Sequence, residues 1–366
     1  MLESWLYPVS AAKFKHFKYA PHQAGSNVIP FKKEIPKLPK GSVALLGLDG
    51  ENANAVRKHL YELAFPFKNL KLYDLGNVRK NEENFIAPIL QELLEGGVIP
   101  VLIGGGEQLM LSQFYAHKAV QSSVNMASVD ERIRYVTEEE SHEGLLNQIF
   151  KNRRTGLFHF SAIGFQSHFT DPSILNVLEK RHFDYLRFGK IREDITQVEP
   201  FIRDADCLTF HLSALKAAEA PAQEFPSPNG FFGEEACQVC RYAGFSDKMR
   251  SFGIYGMDAK KDKTGLTAQL TAQMIWYFLE GVYVRKNDFP ASNEGLIEYI
   301  VDLKDQEHPV SFWKSTRTGR WWVQVPVQTS KKQKRHQLVP CSFSDYQQAC
   351  QDEVPERLLN AFKRFD

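Results

Sequence analysis

Asp130, Arg132 and Arg134 sit at spacing two in the stretch NMASVDERIRY, just after the apolar run Met126–Val129. If that run is a strand and it continues, the three side chains point the same way. Acids and bases at the carboxyl end of a buried strand mark a site in open α/β sheets. Arginine is permanently charged, carries a planar fork of donors and cannot ligate a cation. The chemistry open to this group is therefore carboxylate pairing or the binding of a small carboxylate or phosphate. Other chemistry-bearing residues lie nearby in similar settings. Glu107 follows the turn IGGG, His211 and Ser213 end the run CLTFHLS, and Glu235 opens a helical stretch. Glu107, Asp130 and His211 have side chains acceptable to a single divalent ion, but two neighbouring arginines count against one. Each residue also has a plain reading. His211 suits a core histidine between Phe210 and Leu212. Glu235 suits a helix start, where the dipole favours a carboxylate. The glycine run suits a tight turn as well as a phosphate cradle.

Positioning these groups needs buried strands, and the sequence offers about eight. They are SVALLGL from Ser42, LKLYDLG from Leu70, VIPVLIGGG from Val98, NMASVD, GLFHFSAIGF from Gly156, FDYLRFG from Phe183, DCLTFHLS from Asp206 and MRSFGIYGM from Met249. Most are separated by stretches with helical periodicity, as βαβ units require. Near-continuous apolar strands predict a mostly parallel sheet covered on both faces, a three-layer α/β/α fold. The last strong helix of this unit starts near Thr267. From Val310 to Ser344 there is no acidic residue, while Lys314, Arg317, Arg320, Lys331, Lys332, Lys334 and Arg335 are all basic. GRWWVQVPV reads as a strand there and SKKQKRHQ as an exposed loop. The expected division is an N-terminal segment over 1–40, the α/β/α unit over 41–284 and a C-terminal extension over 285–366.

Composition sets the outer limits. With 366 residues, 43% hydrophobic and 24% charged, the chain can bury a full core. A net charge of +1 gives no global pull toward nucleic acid or membrane. The basic stretch has aromatics beside cations, as in single-strand binders, yet acids elsewhere cancel its charge, so nucleic acid is not the expected partner. No apolar run approaches a membrane span and the start does not read as a signal peptide. Five sparse cysteines fit reduced thiols, so a cytoplasmic location is expected. Cys237 and Cys240 form a CxxC without a partner pair, which reads as two packed thiols on one helix face.

Four stretches, in order, resemble the family of arginases, agmatinases and formiminoglutamases. GGVIPVLIGGGEQLMLSQFYA resembles the segment that ends there in Gly-Gly-Asp-His-Ser. ASVDERIRY falls where the family carries Asp-Ala-His-x-Asp. CLTFHLSALKAAEAPAQEFPSPNGFFGEEA resembles its Ser-x-Asp-x-Asp segment, then Ala-Pro-Gly, then Thr-Pro and Gly-Gly-Leu before a helix. GLTAQLTAQMIWYFLEG resembles its last helix. AIGFQS, from Ala162, leans toward the formiminoglutamase branch. The resemblance spans about residues 40 to 284. It implies a three-layer fold, a binuclear manganese centre, hydrolysis of guanidino or formimino groups and a possible homo-oligomer.

Carried over residue by residue, the ligand set changes. The six family ligand positions fall on Glu107, Asp130, Arg132, Arg134, His211 and Ser213, and only Asp130 keeps its type. Glu235 matches a substrate-binding glutamate. The glutamate after the family's last strand has become Gly256, and the substrate loop after the first strand is missing. The expectation is a ureohydrolase-like protein with a degenerate metal site: no manganese, no amidine hydrolysis by the usual route. The two arginines would take the metals' place as counterions to Glu107 and Asp130. A structural role, or the binding of a small anionic or amino-acid-like ligand, would remain. The alternative is an active formimidoylglutamase-like or other amidine hydrolase on a remodelled site.

Overall fold

The computed structural model describes residues 2–9, 18–136, 144–151, 155–288, 290, 294–304, 309–330 and 333–365. Eight parallel strands form the body of the main sheet: β3 (Val43–Gly47), β4 (Leu72–Val78), β5 (Ile99–Ile103), β6 (Val124–Val129), β7 (Leu157–Phe165), β8 (Asp184–Arg187), β9 (Cys207–His211) and β10 (Ser251–Tyr255). Two short N-terminal strands join them, β1 (Leu6–Tyr7) antiparallel to β4 and β2 (Ile29–Pro30) parallel to it. The order is β1-β4-β3-β5-β10-β9-β6-β7-β8, with β2 beside β4. The eight strands expected from the apolar runs are all present.

The strands are apolar on both faces because both faces are covered. Along β3, Val43 and Leu45 join one core cluster while Ala44 and Leu46 join the other. The first cluster takes in α1 (Gly50–Leu60), α5 (Gly233–Phe245) and α6 (Leu266–Tyr283); the second takes in α2 (Glu83–Glu95), α3 (Met110–Val120) and α4 (Pro172–Lys180). This is the three-layer α/β/α arrangement, with side chains alternating between layers at period two.

The C-terminal residues build a second sheet. β11 (Leu296–Val301), β12 (Val310–Ser315), β13 (Trp321–Ser330) and β14 (Gln333–Cys341) are antiparallel and in sequence order. Helices α7 (Phe343–Cys350) and α8 (Glu356–Phe365) pack on it through Ala349, Leu358 and Ala361. SKKQKRHQ is not a free loop: β13 and β14 pair as a hairpin up to Ser330 and Gln333. Lys331 and Lys332 lie outside the described residues. Among the described residues no helix is long and apolar enough to cross a membrane.

Candidate functional site

The site is assembled at the carboxyl ends of β5, β6 and β9. β5 ends in a turn in which Gly104 and Gly105 have φ of 80° and 90°, a conformation that side chains with a Cβ rarely adopt. The turn brings Glu107 to the top of the sheet, at the head of α3. β6 stops at Val129, so the residues from Asp130 to Arg134 are not strand. That corrects the expectation of three side chains projecting together: the chain turns between them, and Arg132 and Arg134 part company.

Arg134 turns inward. Its guanidinium is buried and holds two carboxylates at once, Asp130 through Nε and Nη2 and Glu107 through Nη1. Arg132 lies in the pocket wall, a third of its side chain exposed at 35%, and pairs with Glu131. Its guanidinium carbon stands 5.0 Å from the Phe225 ring centre and 5.4 Å from that of Phe169. The pairing of both arginines with Glu107 and Asp130 is therefore replaced by one shared arginine and one outer one. A local partner, Glu131, outcompeted the more distant carboxylates.

Behind Asp130 the chain of polar groups continues. Ser213 Oγ donates to Asp130 Oδ1 at 2.9 Å and lies 2.8 Å from His211 Nδ1. His211 Nε2 lies 3.4 Å from Glu224 Oε2, a contact without hydrogen-bond alignment. Burial would raise the Asp130 carboxyl, but Arg134, His211 and the hydrogen bonds from Arg134 and Ser213 hold it below the usual carboxylate range. The adjacent His211 imidazole is the main cause that lowers Glu224; burial opposes it and Arg134 adds to it. Glu224–His211–Ser213–Asp130–Arg134–Glu107 is thus one connected line. Its two ends reach solvent and its middle is buried.

The floor beneath this line is sealed. Gly256 has φ of 79°, and a Cβ built there would fall 2.4 Å from both Cε1 and Nε2 of His211. A side chain at 256 and an imidazole at 211 compete for the same volume. Phe225 closes the line from above, its ring 6.1 Å from His211 and inclined at 28°. In front lies an open pocket of about 420 Å³, bounded by Glu107, Arg132, Arg134, Phe169, Asp171 and Phe225.

Glu235 is not part of this group. It sits in the first turn of α5, accepts from Phe232 N at 2.9 Å and pairs with Arg192. Cys237 and Cys240 are buried on the same helix, where burial pushes the Cys237 thiol up to about 12 and Cys240 well above its ordinary value. The residues that sequence reasoning missed are Glu131, Glu224, Phe169 and Phe225. Glu224 and Phe225 lie between Pro221 and Pro226, in a stretch whose sequence signal is a backbone pattern rather than a side-chain motif. Among the described residues, no group of three or more His, Cys, Asp or Glu side chains is placed to hold a metal ion.

A formimidoylglutamase of Staphylococcus aureus (strain MRSA252) is 23% identical over 226 residues, covering 57% of this chain and 72% of that protein. Among solved structures, the formimidoylglutamase of Bacillus subtilis superposes with a TM-score of 0.62 at 16% identity, over 76% of this chain and 99% of that one. The formiminoglutamase of Trypanosoma cruzi with Mn²⁺ gives 0.59 at 15%, over 68% and 95%. These structural likenesses establish the fold. Residues 49–280 match the model of the Arginase family, and the chain belongs to that family.

Proposed function

We propose that this chain is an arginase-family protein in which an ion-pair network stands in place of the binuclear metal site. It has lost manganese-dependent C–N hydrolysis and keeps a structural or ligand-binding role. The observation that carries the reading is the fork of Arg134 closed on Asp130 and Glu107. A guanidinium cannot ligate a metal, and its fixed charge repels one. Asp130 is further committed to Ser213, and His211 Nδ1 faces the same hydroxyl. The donor set at the six family positions does not fit two divalent cations.

The pocket in front can still hold a small molecule. Its wall carries two carboxylates, Glu107 and Asp171, and two arginines, Arg132 and Arg134. Charges of both signs on one wall favour an amino-acid-like ligand, whose ammonium and carboxylate groups each find a partner, over a purely anionic one. Phe169 and Phe225 supply the apolar wall.

Elemental analysis of the purified protein, before and after exposure to excess Mn²⁺ and desalting, tests the reading. The expected result is far less than one equivalent per chain and no turnover of formiminoglutamate, arginine or agmatine. Metal near two equivalents with hydrolysis of any of these overturns it in favour of an active, remodelled hydrolase.

A further inference from the structure

The opposite end of the sheet carries a second buried charge cluster, and it joins the two halves of the molecule. Helix α8 presents two faces. Leu358, Ala361, Phe362 and Phe365 belong to the core of the C-terminal sheet. Arg357, Asn360 and Arg364 face the α/β/α body. Arg357 Nη2 donates to Pro200 O at 2.8 Å, Arg364 Nε to His182 O at 3.2 Å, and Asn360 Nδ2 to Asp184 Oδ1 at 3.3 Å. Asp184, the first residue of β8, also takes Arg364 Nη2 at 3.4 Å and His159 Nε2 at 3.0 Å. His159 lies within β7, wholly buried, with Ser161 Oγ 3.2 Å from the same nitrogen. Asp204 completes the set, 4.0 Å from Arg364 and paired on its other side with Lys248.

We infer that α8 is a proton-sensitive latch between the α/β/α body and the C-terminal sheet, with His159 as the sensing group. A neutral His159 lets Arg364 approach Asp184 closely. A proton on it adds a cation in a buried space that already holds Arg364 and Arg357, with Asp184 and Asp204 as the acids that face it. Burial and then Arg364 hold the imidazole below its ordinary 6.5, while Asp184 and Asp204 pull the other way. Undocking takes Arg364 away, so the undocked state binds a proton on His159 more readily than the docked one. Docking is therefore strongest where His159 is neutral in both states and weakens as pH falls toward the docked value. Asp184 and Asp204 are held below the usual carboxylate range, so their share of the pairing is lost only in stronger acid. In the neutral to mildly acid range, His159 is the group in the cluster whose protonation the docked helix opposes.

Amide hydrogen exchange of the full chain between pH 7.5 and 5, corrected for intrinsic rates, reads the latch directly. The expected result is a loss of protection confined to α8 and its contacts, by up to about tenfold per pH unit below 6.5 for a one-proton linkage. Protection in β5 and β10 should hold. His159→Gln, which can still donate to Asp184, should abolish the pH dependence. Should that variant misfold, the imidazole titration of the wild type by NMR serves instead, and an apparent pKa below 6.5 is expected. Protection of α8 that is the same at pH 5 and 7.5, or a His159→Gln protein that loses it as the wild type does, overturns the inference. So does an imidazole that titrates at 6.5 or above.

Discussion

Arg57 and Arg134 are both buried arginines facing an aspartate, and they are built for different ends. Arg57 is fully enclosed and every direction of its fork is used. It donates to Asp74 at 2.7 and 2.9 Å, to Gly76 O at 2.7 Å, to Asn77 Oδ1 at 2.6 Å and to Asn54 Oδ1 at 3.2 Å. Asp74 in turn takes Tyr61 Oη at 2.7 Å and Gly76 N at 2.9 Å. One charge meets one charge, and neutral dipoles satisfy the rest. Arg134 has two carboxylates to itself, and one of them, Glu107, keeps a third of its side chain in solvent at 33%. The first pair is closed and balanced, as a structural pair must be. The second is open, carries excess negative charge and fronts a pocket. A bare count of buried ion pairs would class them together, although only the first pairs one charge with one.

That contrast can be broken by substitution. Arg57→Met strands Asp74 with no route to water, and a loss of about 3–5 kcal/mol is expected. Urea denaturation measures it, and a variant within about 1 kcal/mol of wild type would remove the distinction at a stroke. Gly256→Ala adds a Cβ against His211 at a positive φ. Left-handed backbone costs about 1–2 kcal/mol and crowding about 1–3 kcal/mol. Pairing it with His211→Ala should recover the crowding share alone; equal losses in both backgrounds would show that the two residues do not compete for space.

Arg134→Met should cost less than Arg57→Met, about 2–3 kcal/mol, because the pocket lets water reach Glu107 and offset part of the loss. The cost depends on pH. Asp130 is held below the usual carboxylate range by Arg134, so its pairing contributes fully at neutral pH and fades as pH falls below about 4. Thermal melts at pH 7 and at pH 3.5 check this, and a gap that widens in acid contradicts the assignment. Glu107→Gln together with Arg134→Met should cost less than the two single changes summed. The smallest effect is expected from Arg132→Met, about 1 kcal/mol, since this arginine already reaches solvent. A loss as large as that of Arg134→Met would mean that the outer arginine belongs to the buried network after all.

The sheet was legible because parallel strands buried on both faces leave unbroken apolar runs. All eight long strands surface as such runs, from SVALLGL to MRSFGIYGM. The family's ligand positions could be found by the backbone pattern around them, even with the residue types changed. What stayed hidden was partner choice. Arg132 and Arg134 look equivalent at spacing two, yet the strand ends between Val129 and Asp130, and a local acid captures one of them. Glu131 escaped notice because it falls between the positions of interest, and Glu224 because only folding brings it to His211. β13 is announced by GRWWVQVPV, but the start of β14 is not, because its run of cations and glutamines has no apolar alternation to signal a strand.

The double-faced helix α8 also sets an order of events. It follows both sheets in the sequence, and Asp184 depends on its Arg364 and Asn360 for part of its pairing. During synthesis the body can collapse around its sheet while that acid waits, incompletely matched, and the C-terminal sheet lacks the helix that covers Val323 and Val325. Folding from the N-terminus can therefore advance far but cannot complete either half until α8 has been made and has cleared the ribosome. A chain cut short by even that one helix would leave both halves with an unfinished surface, and would meet the cell's quality control as an incomplete protein rather than as a slightly shorter one.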